Sequence, residues 1–182
     1  FEFAAMQNNA HALQSLVDYT IQRHFPVCAE AQNPALALFA AVAARQASLL
    51  VHWMRVGFIH GVMNTDNMAL SGESIDYGPC AFMDSYSHNT VFSSIDNGGR
   101  YAYGNQPVIA AWNLACFAKA LLPCFHAEQE EAVTMAEEAL EAFHTTYDQS
   151  WLDMMRGKLG LSAPHDDDEQ LVADLLDCME KH

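Results

Sequence analysis

His60-Gly61-Val62-Met63-Asn64-Thr65-Asp66-Asn67, followed nine residues after Asn67 by Asp76-Tyr77-Gly78, is the stretch on which the reading of this chain turns. Asp66, Asn67 and Asp76 offer carboxylate and amide oxygens, the hard donors that Mg²⁺ takes while keeping several of its waters. Asp66 is also a carboxylate able to accept a proton. Between the two halves, Met68-Ala69-Leu70 and Ser74-Ile75-Asp76 are separated by Ser71-Gly72-Glu73. Short apolar pieces around a Gly-containing turn predict a small β-hairpin there. Taken singly, each of the three polar residues reads as part of an Asx-rich turn, because Asp and Asn bond readily to local backbone. Their order and spacing carry the functional reading.

Working outward, both flanks read as helix. Leu13, Leu16, Val17 and Ile21 recur at helical spacing within 10–24. Asn33-Pro34 is an N-cap and first-turn pair, and the apolar stripe from Ala35 runs to Val56 and stops at Gly57. Residues 79–106 are rich in Gly, Asn, Ser and Tyr without periodicity, and predict a long ordered loop packed by Phe82, Tyr86, Phe92, Tyr101 and Tyr103. Helices are expected again over 109–122 and 128–147, the latter with Glu128, Glu130 and Glu131 at the positive end of its dipole. A last helix follows the acidic run 166–169, read as a solvated cap, with Leu171, Val172, Leu175, Leu176 and Met179 as its buried stripe. The expectation is a single mainly α unit over 1–182: helical over 1–57, site loops over 58–106, helical over 107–182.

Composition narrows the function classes. The chain has 182 residues, 51% of them hydrophobic and 17% charged, which suits a folded domain and not a disordered chain. Eight Lys and Arg against 23 Asp and Glu give a formal charge of −15. A surface that neutralises many phosphates is therefore not expected, and no nucleic-acid partner is assigned. The acidity is uneven, with 15 of the acids lying in 128–182. No uninterrupted apolar run reaches the roughly 18–20 residues of a membrane span, since Arg45, Gln46, His52 and Arg55 break the longest. Five cysteines without a Cys-x-x-Cys pair fit reduced thiols, Cys80 included. The nine histidines form no His-x-x-x-His pair that would hold zinc.

The quoted stretch has the layout of a kinase-type site, in which a His-x-Asp-x-x-x-x-Asn loop supplies a base and a metal ligand and an Asp-Phe-Gly supplies a second ligand. His60, Asn67 and Asp76 match. Val62 stands where the kinase base would be, and an aliphatic side chain accepts no proton. Asp66, next to Asn67, keeps a carboxylate in the loop.

That string, with Ile75-Asp76-Tyr77-Gly78-Pro79, with Gly98-Gly99-Arg100-Tyr101-Ala102-Tyr103-Gly104-Asn105-Gln106-Pro107, and with 16–26 and Trp112-Asn113-Leu114, resembles the selenoprotein O family of protein adenylyltransferases, kinase-fold proteins once classed as pseudokinases. The likeness covers most of 1–160. It implies a protein-kinase-like C-terminal lobe and transfer of AMP from ATP to Ser, Thr or Tyr hydroxyls of acceptor proteins. Carried over by motif, it implies Asp66 as catalytic base, Asn67 and Asp76 as ligands of Mg²⁺ (or Mn²⁺), and Asp76 as a nucleotide-binding residue through that metal. It implies a cytoplasmic setting in a bacterium or a mitochondrial one in a eukaryote, with no membrane partner. His60 is expected to hold the loop without being catalytic.

No Gly-rich phosphate loop or Val-Ala-Ile-Lys-like strand lies in the 59 residues before His60, and the chain starts at Phe1. The expectation is a C-terminal-lobe fragment that would not turn over ATP alone. Arg100 and Tyr101-Ala102-Tyr103 stand where a kinase has its activation segment. They read equally as a contact for acceptor or phosphate and as a packed loop with one surface salt bridge. Two other readings remain open: phosphoryl transfer, which Val62 opposes, and a catalytically silent helical interaction module.

Overall fold

A computed structural model describes residues 1–7 and 9–181. Besides three short 3₁₀ turns (Pro26–Glu30, Thr65–Asn67 and Tyr103–Asn105), six α-helices and one two-stranded ribbon account for the regular structure of the described residues: α1 (Glu2–Met6), α2 (Ala10–His24), α3 (Pro34–Val56), β1 (Phe58–Ile59), β2 (Ala81–Phe82), α4 (Gln106–Phe125), α5 (Gln129–Leu159) and α6 (Asp168–Lys181). The mainly helical expectation holds.

Local chemistry sets the helix ends. Asn9 Oδ1 accepts from Ala12 N–H at 2.9 Å and Asn33 Oδ1 from Leu36 N–H at 3.1 Å, each satisfying a first-turn donor that has no intrahelical partner. The Asn33 side chain does a second job: its Nδ2 donates to the Phe125 carbonyl at 2.8 Å, tying the start of α3 to the end of α4. α3 lies at the centre. Leu38, Phe39, Val42, Ala47 and Leu50 are buried along it, and they pack with Ala110, Leu114 and Leu121 of α4 and with Ala132, Ala136 and Phe143 of α5. By length and composition alone, α3 and a stretch covering α4 could each cross a membrane. Half of the qualifying window of α3 and 44% of that in α4 are buried within the fold, where an apolar helix is what a core requires.

Several boundaries differ from those read in the sequence. The ribbon is not formed by 68–70 with 74–76. It pairs Phe58 with Phe82 and Ile59 with Ala81, antiparallel, while the inner arms share only one bridge, Met68 with Ser74. The register is fixed by packing: Gly61 has φ +84°, and a Cβ there would lie 2.9 Å from Pro79 Cγ, so the two arms approach more closely than any side chain allows. α4 is longer at both ends than 109–122, and α5 runs twelve residues beyond Tyr147. The extension of α5 was hard to read because Met155 is its only buried residue past Phe143. The long segment after β2 is ordered by backbone and side-chain bonds, among them Tyr103 N–H to the Thr90 carbonyl and Asn105 Nδ2 to the Gly99 carbonyl. Of its aromatics Tyr103 is buried and Tyr86 and Tyr101 are half-buried, but Phe82 and Phe92 are exposed.

α6 departs most from expectation. Of its apolar stripe only Val172 is buried, and Leu171 and Met179 are exposed. Polar ties hold it instead. Asp168, expected in a solvated cap, is buried and accepts from Arg156 Nε at 2.6 Å and from His165 N–H at 2.8 Å. At the other end Glu180 accepts from Ser87 Oγ and His88 N–H, both at 2.7 Å.

The bond from the His165 amide, then that from Arg156, hold the Asp168 carboxyl below its ordinary value of 3.8. A depressed carboxylate stabilises the fold fully above its unfolded value and loses that contribution as pH falls through the folded one. Thermal unfolding followed downward from pH 7 is therefore expected to show an Asp168→Asn deficit that is constant above pH 3.8 and shrinks below it. A deficit that stays constant to lower pH contradicts the assignment.

Candidate functional site

α3 delivers the chain to the site. After Gly57, β1 leads directly to His60, whose residue is 0% exposed. The Nε2 of His60 lies 2.7 Å from the Ile75 carbonyl. A carbonyl only accepts, so the hydrogen is assigned to Nε2. The ring packs at 5.4 Å from Trp53, and Nδ1 has no partner among the described residues. The backbone N–H of His60 donates to Gln106 Oε1 at 3.0 Å, and Gln106 Nε2 donates to the Phe58 carbonyl at 3.0 Å. One buried amide at the start of α4 thus holds both sides of the entry to the loop, and one buried ring joins that entry to the residue before Asp76.

Asp66 and Asn67 sit in a 3₁₀ turn, Thr65–Asn67. Asn67 Nδ2 donates to the Val62 carbonyl at 3.0 Å, which closes the loop on itself and leaves the Oδ1 oxygen, without a partner among the described residues, available to a cation. The Met68–Ser74 bridge then turns the chain back, so that Asn67 and Asp76 leave it on neighbouring arms. Gly72 at the tip has φ +77°, and a Cβ there would meet Arg45 Cβ at 2.8 Å. Against α3 the tip is held by Arg45 Nη1 to the Ser71 carbonyl, by Gln46 Nε2 to the Ala69 carbonyl at 2.6 Å and by Trp53 Nε1 to Ser74 Oγ at 2.9 Å.

Asp76 has φ +55°, alone among the non-glycine residues described. Asp tolerates this left-handed region better than most residues, and such conformations concentrate at functional sites. The carboxylates of Asp66 and Asp76 are exposed, and among the described residues neither is in an ion pair.

The donor set fits a hard cation. Among the described residues no three His, Cys, Asp or Glu side chains gather into a metal cage; an amide oxygen and a carboxylate are the kind of oxygen donors that Mg²⁺ takes together with phosphate oxygens and water. They do not suit a structural zinc.

Beside Asp66 opens a cavity of about 250 Å³, walled by Val42 and Gln46 of α3, Met68 and Leu70 of the loop, and Leu114, Cys116 and Phe117 of α4. Burial and then the Glu2 carboxylate push the Cys116 thiol up, against Lys119 and Arg100, so Arg100 lies within electrostatic reach of this wall. From the segment before α4, Tyr101 Oη donates to Asn64 Oδ1 at 2.6 Å, joining that segment to the loop two residues from Asp66.

Sequence reasoning placed Asp66, Asn67, Asp76 and His60 but missed the amides that hold them: Gln46, Gln106 and Asn113, whose Nδ2 donates to the Met63 carbonyl at 3.0 Å. The signal was available. Gln46 interrupts the stripe of Ala43, Ala47 and Leu50, and Asn113 that of Ile109, Ala110 and Leu114. A polar residue on a buried helical face needs a partner, and here each partner is a backbone carbonyl of the site.

Leaving a buried polar group unpaired costs about 1–3 kcal/mol. Gln106→Leu orphans both the His60 N–H and the Phe58 carbonyl, and is expected to cost about 1–3 kcal/mol for each in urea unfolding, with faster exchange of the His60 amide. Unchanged exchange at His60 would show that Gln106 does not hold the loop.

A family model described as protein adenylyltransferase SelO matches residues 1–182. The match runs through the acidic tail, beyond the 1–160 that the shared motifs cover. Curated relatives called protein nucleotidyltransferase YdiU are similar along the chain. That of Alkaliphilus metalliredigens is 55% identical over 182 residues, covering 100% of this chain and 37% of its own. That of Mycolicibacterium paratuberculosis is 57% identical over 177 residues, covering 97% and 36%. For Geobacillus kaustophilus the values are 54% over 182 residues, 100% and 38%. This chain thus spans little more than a third of the length of the curated relatives it matches.

Proposed function

Because this chain belongs to the SelO family of protein adenylyltransferases, we propose that it carries the base and metal ligands with which the longer protein transfers AMP from ATP to Ser, Thr or Tyr hydroxyls of acceptor proteins. The observation that carries the reading is the joining of the Asp66–Asn67 turn to the Asp76 arm by the His60–Ile75 bond and the Met68–Ser74 bridge. The same arrangement, a helix leading into a closed loop with a second acidic arm beside it, supports the reading of the unit as a protein-kinase-like C-terminal lobe.

In this reading Asp66 takes the proton from the acceptor hydroxyl as its oxygen attacks the α-phosphorus. The bond from that phosphorus to the oxygen bridging to the β-phosphate breaks, and pyrophosphate leaves. Asn67 Oδ1 and the Asp76 carboxylate would hold Mg²⁺, or Mn²⁺ in its place. When bound, the metal supplies charge neutralisation on the phosphate oxygens. Val62 cannot serve as a base two residues after His60, which disfavours kinase-type phosphoryl transfer. The exposed loop places Asp66 in solvent reach of an acceptor, and the cavity beside it leaves room for acceptor side chains. The bacterial origin of the relatives favours the bacterial over the mitochondrial of the two settings.

The test incubates the full-length protein with Mg²⁺ and ATP labelled at the α- or the γ-phosphate. Label on protein from α-labelled ATP alone is expected. Asp76→Ala should lower transfer on the order of 10²–10³-fold, the scale seen when an electrostatic contact to a developing charge is removed. Label from γ-labelled ATP alone would make the reaction phosphoryl transfer, and full transfer by Asp76→Ala would overturn the metal assignment.

A further inference from the structure

Next to the candidate site, α4 exposes Val108 and Trp112, one turn apart and 66% and 48% exposed. Over the Trp112 ring lies Arg100. Its guanidinium carbon is 4.8 Å from the Trp112 ring centroid and 5.7 Å from that of Tyr101, so a planar cation rests on an aromatic floor. The backbone beneath is fixed by Asp96, whose carboxylate accepts from Arg100 N–H at 2.9 Å and Tyr101 N–H at 2.7 Å. Although acids outnumber bases 23 to 8, among the described residues no carboxylate lies within ion-pair distance of Arg100. The surface salt bridge expected for a merely packed loop is not there.

The platform adjoins the site on two sides. Tyr101, the next residue, is bonded to Asn64 of the loop, and Trp112 stands one turn before Cys116, which walls the same cavity as Asp66.

We propose that Arg100, Trp112 and Val108 form a docking platform for the acceptor polypeptide, selecting acceptors with an Asp or Glu close to the modified hydroxyl. The proposal rests on the adenylyl-transfer reading above and names its substrate class. The donor fork of Arg100 matches the two oxygens of a carboxylate, and stacking pre-organises it so that little freedom is lost on binding. Trp112 and Val108 cover the apolar neighbours of that carboxylate, in the anchor-and-charge pattern of interaction hot spots. A triphosphate could use the guanidinium but would leave Trp112 and Val108 bare, whereas a polypeptide uses all three.

The test takes the full-length protein and two fluorescein-labelled peptides, identical except for Asp or Asn two residues from a single Ser. Anisotropy reads binding and α-labelled ATP reads transfer. The Asp peptide is expected to bind about ten-fold more tightly, the scale of one charge-assisted pair. Arg100→Ala should erase that preference with KM for ATP unchanged, Arg100→Lys should keep part of it, and Trp112→Ala should weaken binding of both peptides. Preferential binding of the Asp peptide without any transfer would uphold the platform and sink the transfer reading. Equal transfer to both peptides would uphold transfer and sink the platform. Binding of neither peptide, as when another part of the longer protein covers this face, would overturn the platform. A rise in KM for ATP in Arg100→Ala would also overturn it, assigning the guanidinium to nucleotide phosphate.

Discussion

One buried imidazole sets the geometry on which the site depends. His60 lies at the junction of the central helix and the loop, and bonds through its ring to the Ile75 carbonyl and through its backbone to Gln106. The two halves of the site lie ten residues apart in sequence and share only one isolated β-bridge. A single bridge is a weak restraint, because it lacks the neighbouring ladder bonds that make strand pairing cooperative. The ring bond adds a second restraint at the residue before Asp76. The imidazole is fully buried against Trp53, which limits competition from water on the donor side. The loop can then be polar and exposed at its tip, where chemistry needs access, while its base is anchored in the core.

The same division of labour recurs around the site. Five helix-borne groups, Arg45, Gln46, Trp53, Gln106 and Asn113, hold backbone or side-chain oxygens and amides of 58–74. None needs regular strand structure in the segment it holds. Loop residues 60–78 therefore keep an irregular path, including the left-handed Asp76, because the surrounding helices determine it. Pre-organisation of this kind places charged groups where a reaction needs them without reordering them at the moment of reaction.

The sequence made the helices legible where burial is one-sided. α2 and α3 match their periodicity and caps to within a residue, because Asn33-Pro34 and Gly57 are unambiguous punctuation and the stripe between them is continuous. Legibility fell where tertiary ties replace an apolar stripe. The end of α5 buries little, and α6 is held by Asp168 and Glu180, which read locally as surface acids. Strand pairing of 58–59 with 81–82 joins residues more than twenty positions apart, and no local signal specifies such a register. At the site, the ordered motif exposed Asp66, Asn67 and Asp76, since residue type and spacing alone suggest oxygen donors. The amides that hold them showed only as polar interruptions of apolar faces.

In the proposed mechanism the loop divides its labour: Asn67 and Asp76 would hold the metal, and Asp66 would handle the proton. Titration of Mn²⁺ into the full-length protein with ATP, followed by electron paramagnetic resonance, tests it directly. Asn67→Ala and Asp76→Ala should each weaken Mn²⁺ binding, whereas Asp66→Ala should bind Mn²⁺ as the wild type does while losing transfer. Loss of Mn²⁺ binding in Asp66→Ala, with binding retained in Asn67→Ala, would contradict the account.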